Sequence, residues 1–505
     1  MTLEGEIEEY VKQALDGWTP PKIYGSKVIN DPIHGAMSFR NHELILMDCP
    51  LLQRLRYIRQ LGPANLLYPT ANHTRFDHSL GVCHVADRMW RALREKAEEV
   101  SGINCEADVP SITRLQVRLA GLLHDIGHGP FSHVSDRFMG TFKDIDKLTS
   151  AGGEFPDSNP HEVLSYLILT SKAFQKFFDD NIALPADDGT SGKKRKRGLS
   201  LDIKYIAGLI LKKKEKDPKS LWVNDIINGP FDADKLDYML RDSYFTGIRI
   251  EVDIERVLFS LDIDLVDIDG ERENRIVAKA SGVHTLEQIL FNKMFLFSSL
   301  YHHHKTRAVE AMVNSMYEVL MEDKNEIRGR PLKGPIDLLY LTDHDLLIKG
   351  EGESRFETLK ASLRKRNLLY RALEMSQSTI DTRPMFQQLM KRQEHPEELE
   401  KMRHLINKEL GRGRDEVYKV WLDLPKNPSL KESSKTYIRS GSGAHKTMED
   451  YFPVHEWLKN YALNKWKGHI FCYHEDREAT KDVARSLFED LWGLKLKPEA
   501  DHPRL

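Results

Sequence analysis

Apolar residues recur along this chain mainly at three- and four-residue intervals, the spacing of one helical face. Val82, Ala86, Met89, Trp90, Leu93 and Ala97 predict a helix opened by Arg75-Phe76-Asp77-His78. Ile112, Leu115, Leu119, Leu122 and Leu123 form a second stripe, which ends at His124. Residues 1 to about 20 read as a short amphipathic helix stopped by Thr19-Pro20-Pro21. Asp48 as a cap and Pro50 in the first turn open a helix with Leu51, Leu52, Leu55 and Ile58 on its buried face, and Gly62 stops it. Residues 287–320 and 359–375 also carry the helical period. Strand-like stretches are few: a strand-turn pattern over 27–35, and 275–278 after the turn Asp269-Gly270. The fold class expected is therefore mostly α, a helical bundle with a helical C-terminal lobe and a few short strands.

Composition narrows the setting. With 505 residues, 40% hydrophobic and 30% charged, the chain suits a soluble globular protein of more than one folded unit. A net charge of −3 carries no global signature of nucleic-acid binding. No apolar run reaches the roughly 20 residues that span a bilayer, so no membrane partner is expected. The acidic N-terminus MTLEGEIEEYVKQAL does not read as a secretory signal. Cys49, Cys83, Cys105 and Cys472 are scattered, without a CxxC pair, and read as reduced thiols. A cytoplasmic location is expected, or a nuclear one if the source is eukaryotic. Residues 186–198, which end in Lys193-Lys194-Arg195-Lys196-Arg197, and residues 212–219 read as solvated basic insertions. For the first, a nuclear-localisation signal or a contact to a nucleotide or acidic partner is the alternative.

The densest chemistry lies in Leu122 to His133, LLHDIGHGPFSH. A divalent metal that activates water needs imidazole and carboxylate ligands and an open coordination position. His78, the pair His124-Asp125, and Asp234 offer such ligands, each at or near a predicted helix end. Packed helices can point such residues into one cavity. His73 and His84 fall outside the pattern and read as core or capping residues.

Each element of this H…HD…D spacing sits in a longer string: NDPIHG from Asn30, QRLRYIRQLG from Gln53, RFDHSLGV from Arg75, LLHDIGHGPFSH from Leu122, and DADKLDYMLRDSYFTGI from Asp232. On these strings the chain resembles the deoxynucleoside triphosphate triphosphohydrolases of the HD superfamily, which include vertebrate SAM-and-HD-domain enzymes and bacterial dGTPase-like proteins. The resemblance runs from about residue 25 to about residue 310 and is weaker beyond. It implies a helical extension at 1–21, an HD-domain bundle at 22–310, and a regulatory and oligomerisation lobe at 311–505.

Carried over by position, the resemblance implies one divalent metal held by His78, His124, Asp125 and Asp234. Fe, Mn, Zn, Co or Ni suits that donor set, and Mg2+ would accompany the triphosphate. His128, His133 and His161 would stand near the phosphates, with Asp136 orienting a histidine and Glu162 following His161. Arg75, Lys235 and Tyr238 would hold the triphosphate, Gln60 and Asp242 the sugar 3′-hydroxyl, and Leu61 would leave no room for a 2′-hydroxyl. Where the family has an arginine, a histidine and a tyrosine beside the substrate, this chain has Met294, Ser298 and His302, so base preference does not carry over. Lys27, Val28, Asn30, Asp48, Gln53 and Arg56 match positions that bind an activating guanine nucleotide. His304, Lys305 and Arg366 match further regulatory positions. Such sites lie between subunits, so the resemblance implies a homo-oligomer, with a tetramer expected.

The implied reaction converts a dNTP to a deoxynucleoside and inorganic triphosphate. Water attacks the α-phosphorus, and a histidine, His133 ahead of His161, protonates the departing 5′-oxygen. Lower dNTP pools, in homeostasis or antiviral defence, would follow. Two alternatives stay open. One is a dNTP sensor that controls a partner with little turnover. The other is an HD phosphodiesterase for a cyclic or alarmone nucleotide, against which the Gln60-Leu61 pair and the Lys235, Tyr238, Asp242 spacing argue.

Overall fold

The computed structural model describes residues 2–21, 25–99, 109–156, 158–182, 201–211, 220–268, 270–323, 326–327, 329–347, 354–426, 435–439, 445–451 and 453–501. Cys105, Asp269 and the basic stretches at 186–198 and 212–219 lie outside them. The chain is mostly α-helical with short strands. Among the described residues, no helix is long and apolar enough to cross a membrane.

Helix Arg75–Ala97 is the axis of the site-bearing half. Its apolar stripe is buried as the periodicity predicts, and it packs on Ile112–Leu123 and on Ala233–Thr246. The crossing with Ala233–Thr246 is close because Gly81 has no side chain. A Cβ there would lie 1.9 Å from Asp237 Oδ1 and 2.5 Å from Arg241 Nη2. The N-terminal helix Leu3–Leu15 buries Leu3, Ile7, Tyr10 and Val11, one face at helical spacing. Strands Ser26–Asp31 and Gly35–Arg40 pair antiparallel, with Asp31 opposite Gly35. Asp31 Oδ1 shapes their turn by accepting the N–H groups of Ile33 (2.8 Å) and His34 (2.9 Å).

Four expectations need correction. The helix read from Asp48 to Gly62 is a short helix, Pro50–Gln53, followed by a 3-10 turn, Arg54–Tyr57. Asp48 ends the preceding helix Asn41–Asp48, and Cys49 is the residue before Pro50 that opens the next. Residues 287–320 are not continuous: Val283–Leu296 passes into a π-helical turn, Phe297–Tyr301, before His304–Glu322. Residues 359–375 divide as well. Helix Arg355–Arg364 ends where Arg366 takes a left-handed φ of 59°, closed by a hydrogen bond from Asn367 N–H to Ser362 O (2.8 Å). Tyr370–Met375 is a strand.

More residues form sheet than the sequence suggested. Leu261–Ile268 pairs antiparallel with Glu271–Lys279, which Tyr437–Arg439 joins in parallel. In a second sheet, Gly468–Cys472 lies antiparallel between Tyr370–Met375 and Val420–Asp423. The larger apolar core reaches from Leu3 to Tyr473, and a second core gathers residues between Ala372 and Ala500. Position 310 falls inside helix His304–Glu322, whose buried face belongs to the larger core.

Gly81→Ala forces the two helices apart and should cost about 1–3 kcal/mol, the usual range for overpacking a filled crossing. Urea unfolding reads this as a lower midpoint at unchanged slope. A variant within about 0.5 kcal/mol of wild type would show that the crossing has room to spare.

Candidate metal centre and its histidine cluster

The ends of three helices meet at the site. Thr74 and Asp77 form a capping box: Asp77 Oδ2 accepts Thr74 N–H at 2.8 Å, which sets Arg75 and His78 in the first turn of Arg75–Ala97. His124 is the C-cap of Ile112–Leu123. Asp232 caps Ala233–Thr246 by accepting Lys235 N–H at 2.8 Å, so Asp234 and Asp237 share one face of its first turns.

His78 Nε2 lies 3.0 Å from Asp234 Oδ1 and 3.9 Å from Asp125 Oδ2, and His124 Nε2 lies 3.2 Å from Asp125 Oδ1. Both Nε2 atoms are buried and neither makes a hydrogen bond. Each ring's other nitrogen donates: His78 Nδ1 to Asp237 Oδ2 (2.7 Å), His124 Nδ1 to Gly121 O (2.8 Å). That arrangement turns the Nε2 lone pairs toward the carboxylates, as outer hydrogen bonds do for metal-binding imidazoles. The His78, His124 and Asp125 ligand atoms lie within 4.8 Å of one another. Burial works to lower the His78 pKa, but Asp234, Asp237 and Asp125 raise it to about 10, and the same negative field attracts a cation. Asp234 is the partly exposed member, with 42% of its side chain accessible, so the cradle is open on that side. The donor set fits a divalent metal.

A second cluster adjoins the first. His128, fully buried, places Nε2 3.3 Å from Asp125 Oδ1. Its ring stacks on His161 at 3.7 Å between centroids. Asp136 Oδ2 accepts from His161 Nδ1 (2.7 Å) and from His133 Nδ1 (3.0 Å). The stacked pair is tuned apart. Burial lowers both, but Asp136 holds the His161 pKa above its ordinary value, whereas Arg75 and His161 drive His128 well below. Burial opposes ionisation of Asp136, yet His161 and His128 hold its carboxyl well below the usual range. His133 is the exposed ring of the three, 69% accessible. Glu162 Oε2 accepts Asn159 N–H at 2.7 Å, a capping box for Pro160–Thr170 that keeps His161 in its first turn. Gly127 lets this helix approach, because a Cβ there would stand 2.3 Å from His161 O.

Arg75 joins the clusters. It is 3% exposed and donates through Nη1 to Asp125 Oδ2 (2.9 Å) and through Nε to Ser132 Oγ (3.0 Å), and its buried Nη2 has no partner. Lys235 Nζ donates to Gly229 O (3.0 Å) and to the Asp232 carboxylate. Tyr238 is half-buried on the same helix. Gln60 is buried with Oε1 unpartnered, its N–H donating to His73 O (3.0 Å), and Leu61 beside it is half-buried. Asp242 accepts from His73 Nε2 (2.8 Å) and from the Tyr301 hydroxyl. His73 is therefore tied to the Asp242 carboxylate, a specific role beyond core filling.

His302 packs edge-on against Phe297, 5.7 Å between ring centroids, and burial with the Arg307 charge lowers its pKa to about 4. Tyr301 is the residue of that run that meets Asp242. The π turn explains the offset: His302 N–H bonds Phe297 O (2.8 Å), one residue further back than in an α-helix. Met294 is buried, and Ser298 Oγ donates to Phe295 O (3.1 Å).

Of the regulatory candidates, Lys27, Val28 and Asn30 are exposed on strand Ser26–Asp31, and Asp48 is exposed. Gln53 Nε2 donates to Met47 O (2.6 Å), and Arg56 Nε donates to Gln53 Oε1 (2.8 Å) while its guanidinium lies 3.7 Å from the Phe76 ring centroid. No hydrogen bond or ion pair among the described residues joins the strand residues to Asp48, Gln53 or Arg56. Lys305 Nζ sits 4.4 Å from the Tyr370 ring centroid, Arg366 donates to Leu66 O, and burial with Arg371 lowers His304 to about 3.

Sequence reasoning passed over Asp237, Ser132 and Tyr301. Asp237 was readable, since it lies three residues beyond Asp234 and so on the same helical face. Asp237→Asn removes the acceptor that orients His78. The variant should bind divalent metal about 10- to 100-fold more weakly, as measured by metal-chelator competition. Unchanged affinity would detach Asp237 from the metal centre.

The HD domain family model matches residues 75–188, and the model of the HD associated region matches residues 252–497. The chain is 32% identical over 306 residues to the deoxynucleoside triphosphate triphosphohydrolase SAMHD1 of Homo sapiens, a match that covers 60% of this chain and 46% of that protein. The Bos taurus protein of the same name is 32% identical over 313 residues, with 60% and 49% covered. This chain thus spans less than half the length of either. An uncharacterized protein of Methanocaldococcus jannaschii is 27% identical over 468 residues, covering 92% of this chain and 82% of its own length. A crystal structure of a hypothetical protein from Aquifex aeolicus shares the fold, with a TM-score of 0.60 at 22% identity over 91% of this chain and 99% of that one. On the ligand geometry, the motif strings and these matches together, residues 75–188 form an HD domain, followed by an HD associated region over residues 252–497.

Proposed function

We propose that this protein is a metal-dependent hydrolase that converts a dNTP to a deoxynucleoside and intact inorganic triphosphate. The observation that carries this reading is the adjacency of the two clusters: Asp125 faces the candidate ligands His78 and His124 on one side and His128 on the other. The activity for which the vertebrate relatives are named supports it.

In this reading His78, His124, Asp125 and Asp234 hold the divalent ion. Such an ion supplies a Lewis acid for a phosphoryl oxygen and makes water a competent nucleophile. Arg75 offers its spare Nη2 to a phosphate oxygen. Lys235 and Tyr238 complete the grip on the triphosphate, which Mg2+ would accompany. His133, the exposed ring, protonates the 5′-oxygen as it leaves, and Asp136 orients it. His161 holds its proton against the ionised Asp136, and His128, its pKa lowered by burial, Arg75 and His161, adds no positive charge. Gln60 and Asp242 receive the sugar 3′-hydroxyl, and Leu61 closes on the 2′ carbon. The exposed Asp48, with Gln53 and Arg56, accepts a guanine nucleotide, and Lys27, Val28 and Asn30 contribute where subunits of a homo-oligomer meet. His304, Lys305 and Arg366 serve a second effector. In the cell such an activity lowers dNTP pools.

Product analysis tests the reaction. Each dNTP is incubated with protein and Mn2+ or Mg2+, alone and paired with GTP or a second dNTP. Deoxynucleoside with intact triphosphate is expected, and a His124→Ala/Asp125→Ala variant should lose at least about 10³-fold of the rate. Turnover confined to nucleotide pairs would support the effector site. Retained dNTP binding without product under any pairing would favour the sensor, and a monophosphate product would sink the triphosphohydrolase reading.

The pH profile tests the histidine pair. Asp136 raises the His161 pKa, so protonated His161 persists above the ordinary imidazole range and is lost as pH rises through its folded value. In Asp136→Asn that support is gone. The alkaline limb of kcat should move to lower pH, with the maximal rate down about 10²-fold or more. An unmoved alkaline limb would remove His161 from the proton inventory.

A further inference from the structure

The turn that presents His133 is strained. Phe131 and Ser132, neither of them glycine, hold φ values of 57° and 55°. Such a conformation persists only where its surroundings enforce it. Much of that enforcement comes from outside the segment matched by the HD domain model. The Tyr317 hydroxyl donates to Pro130 O at 2.7 Å. Asp343, 1% exposed, accepts Phe131 N–H on Oδ1 at 2.7 Å and Arg59 N–H on Oδ2 at 2.9 Å.

The two amides belong to different halves of the candidate pocket. Phe131 lies two residues before His133, and Arg59 immediately precedes the sugar-side pair Gln60 and Leu61. Ser132 closes the circuit, since its Oγ donates to Arg59 O and accepts from Arg75 Nε. A carboxylate is suited to this task because both oxygens are acceptors. An amide has one acceptor oxygen and an NH2 that would face a backbone N–H.

We propose that Asp343 is a positioning residue that fixes the distance between the proton-donating turn and the sugar-binding segment, so that the C-terminal half of the chain sets the geometry of the reaction site. The proposal rests on the dNTP reading above and deepens it. Asp343 touches no substrate; it acts through the Phe131 and Arg59 amides. Neither amide lies within a helix, so their protection from solvent depends on this carboxylate.

The test compares wild type, Asp343→Asn and a control, Asp345→Asn. Asp345 lies on the same short helix, which it caps by accepting Thr342 N–H at 2.8 Å. Steady-state kinetics, metal content, thermal melting and hydrogen exchange resolved at Phe131 and Arg59 are measured on the full chain. For Asp343→Asn the expected result is a fall in kcat of about 10²-fold with KM within about threefold. Metal content should be unchanged, and exchange at both amides about tenfold faster or more. Asp345→Asn should show neither the kcat loss nor the faster exchange. Wild-type kcat and wild-type protection in Asp343→Asn would overturn the proposal, as would equal kcat losses in the two variants. If Asp343→Asn does not fold, the wild-type protein decides: Phe131 and Arg59 amides exchanging at exposed-loop rates would overturn the clamp, and exchange only on global opening would support it. If wild type releases no triphosphate, the dNTP reading fails by itself, and exchange at the two amides still decides whether the clamp exists.

Discussion

One buried carboxylate organises the site. Asp237 is fully buried and accepts from His78 Nδ1 (2.7 Å), His34 Nε2 (2.6 Å) and Arg241 Nε (2.9 Å). An unpaired charge at that depth would cost several kcal/mol, about what removal of one partner from a buried ion pair costs. With its oxygens satisfied it becomes a fixed point instead. Its charge fixes the His78 tautomer, which turns Nε2 toward Asp125 and Asp234. Arg241 also reaches Asp31 Oδ2 (2.8 Å), and Asp31 shapes the turn that delivers His34. The N-terminal hairpin, the crossing at Gly81 and the His78 imidazole are thus one electrostatic unit.

A different balance governs the neighbouring histidines. The rings of His128 and His161 are in stacking contact, so two positive charges there would repel strongly. The arrangement resolves this by unequal access to Asp136, which His161 meets directly while His128 lies 3.9 Å off. Environments that drive neighbouring titratable groups apart are how acid and base roles become distinct at one pH. The exposed His133 shares the same carboxylate, which links the buried pair to the protein surface.

How much of this was legible in the sequence depends on what each feature needs. The convergence of His78, His124, Asp125 and Asp234 could be read because each is tied to a helix end, and helix ends carry local signals such as Thr74 and Asp232. Strands Val420–Asp423 and Gly468–Cys472 could not, because every residue in them is buried and the two-residue alternation that marks a half-exposed strand is absent. Residues 359–375 kept an apolar helical period with no glycine or proline inside it, while the break came from Arg366 in a left-handed conformation usually left to glycine. The π turn at Phe297–Tyr301 moved Tyr301 rather than His302 to Asp242, a one-residue register change that a fixed period cannot show. Asp343 lies more than two hundred residues from the turn it holds, and nothing local announces that contact.

Among the described residues, two clusters have the donors to hold a metal, His78 with His124 and Asp125, and His128 with His133, Asp136 and His161. The reading proposed above places the metal at the first and proton transfer at the second. The most direct test is anomalous diffraction from crystals grown with Mn2+, collected above and below the metal absorption edge. One strong protein-bound peak per chain is expected, bounded by His78 Nε2, His124 Nε2 and the carboxylates of Asp125 and Asp234. A dominant peak among His128, His133, Asp136 and His161, with none at the first cluster, would contradict it.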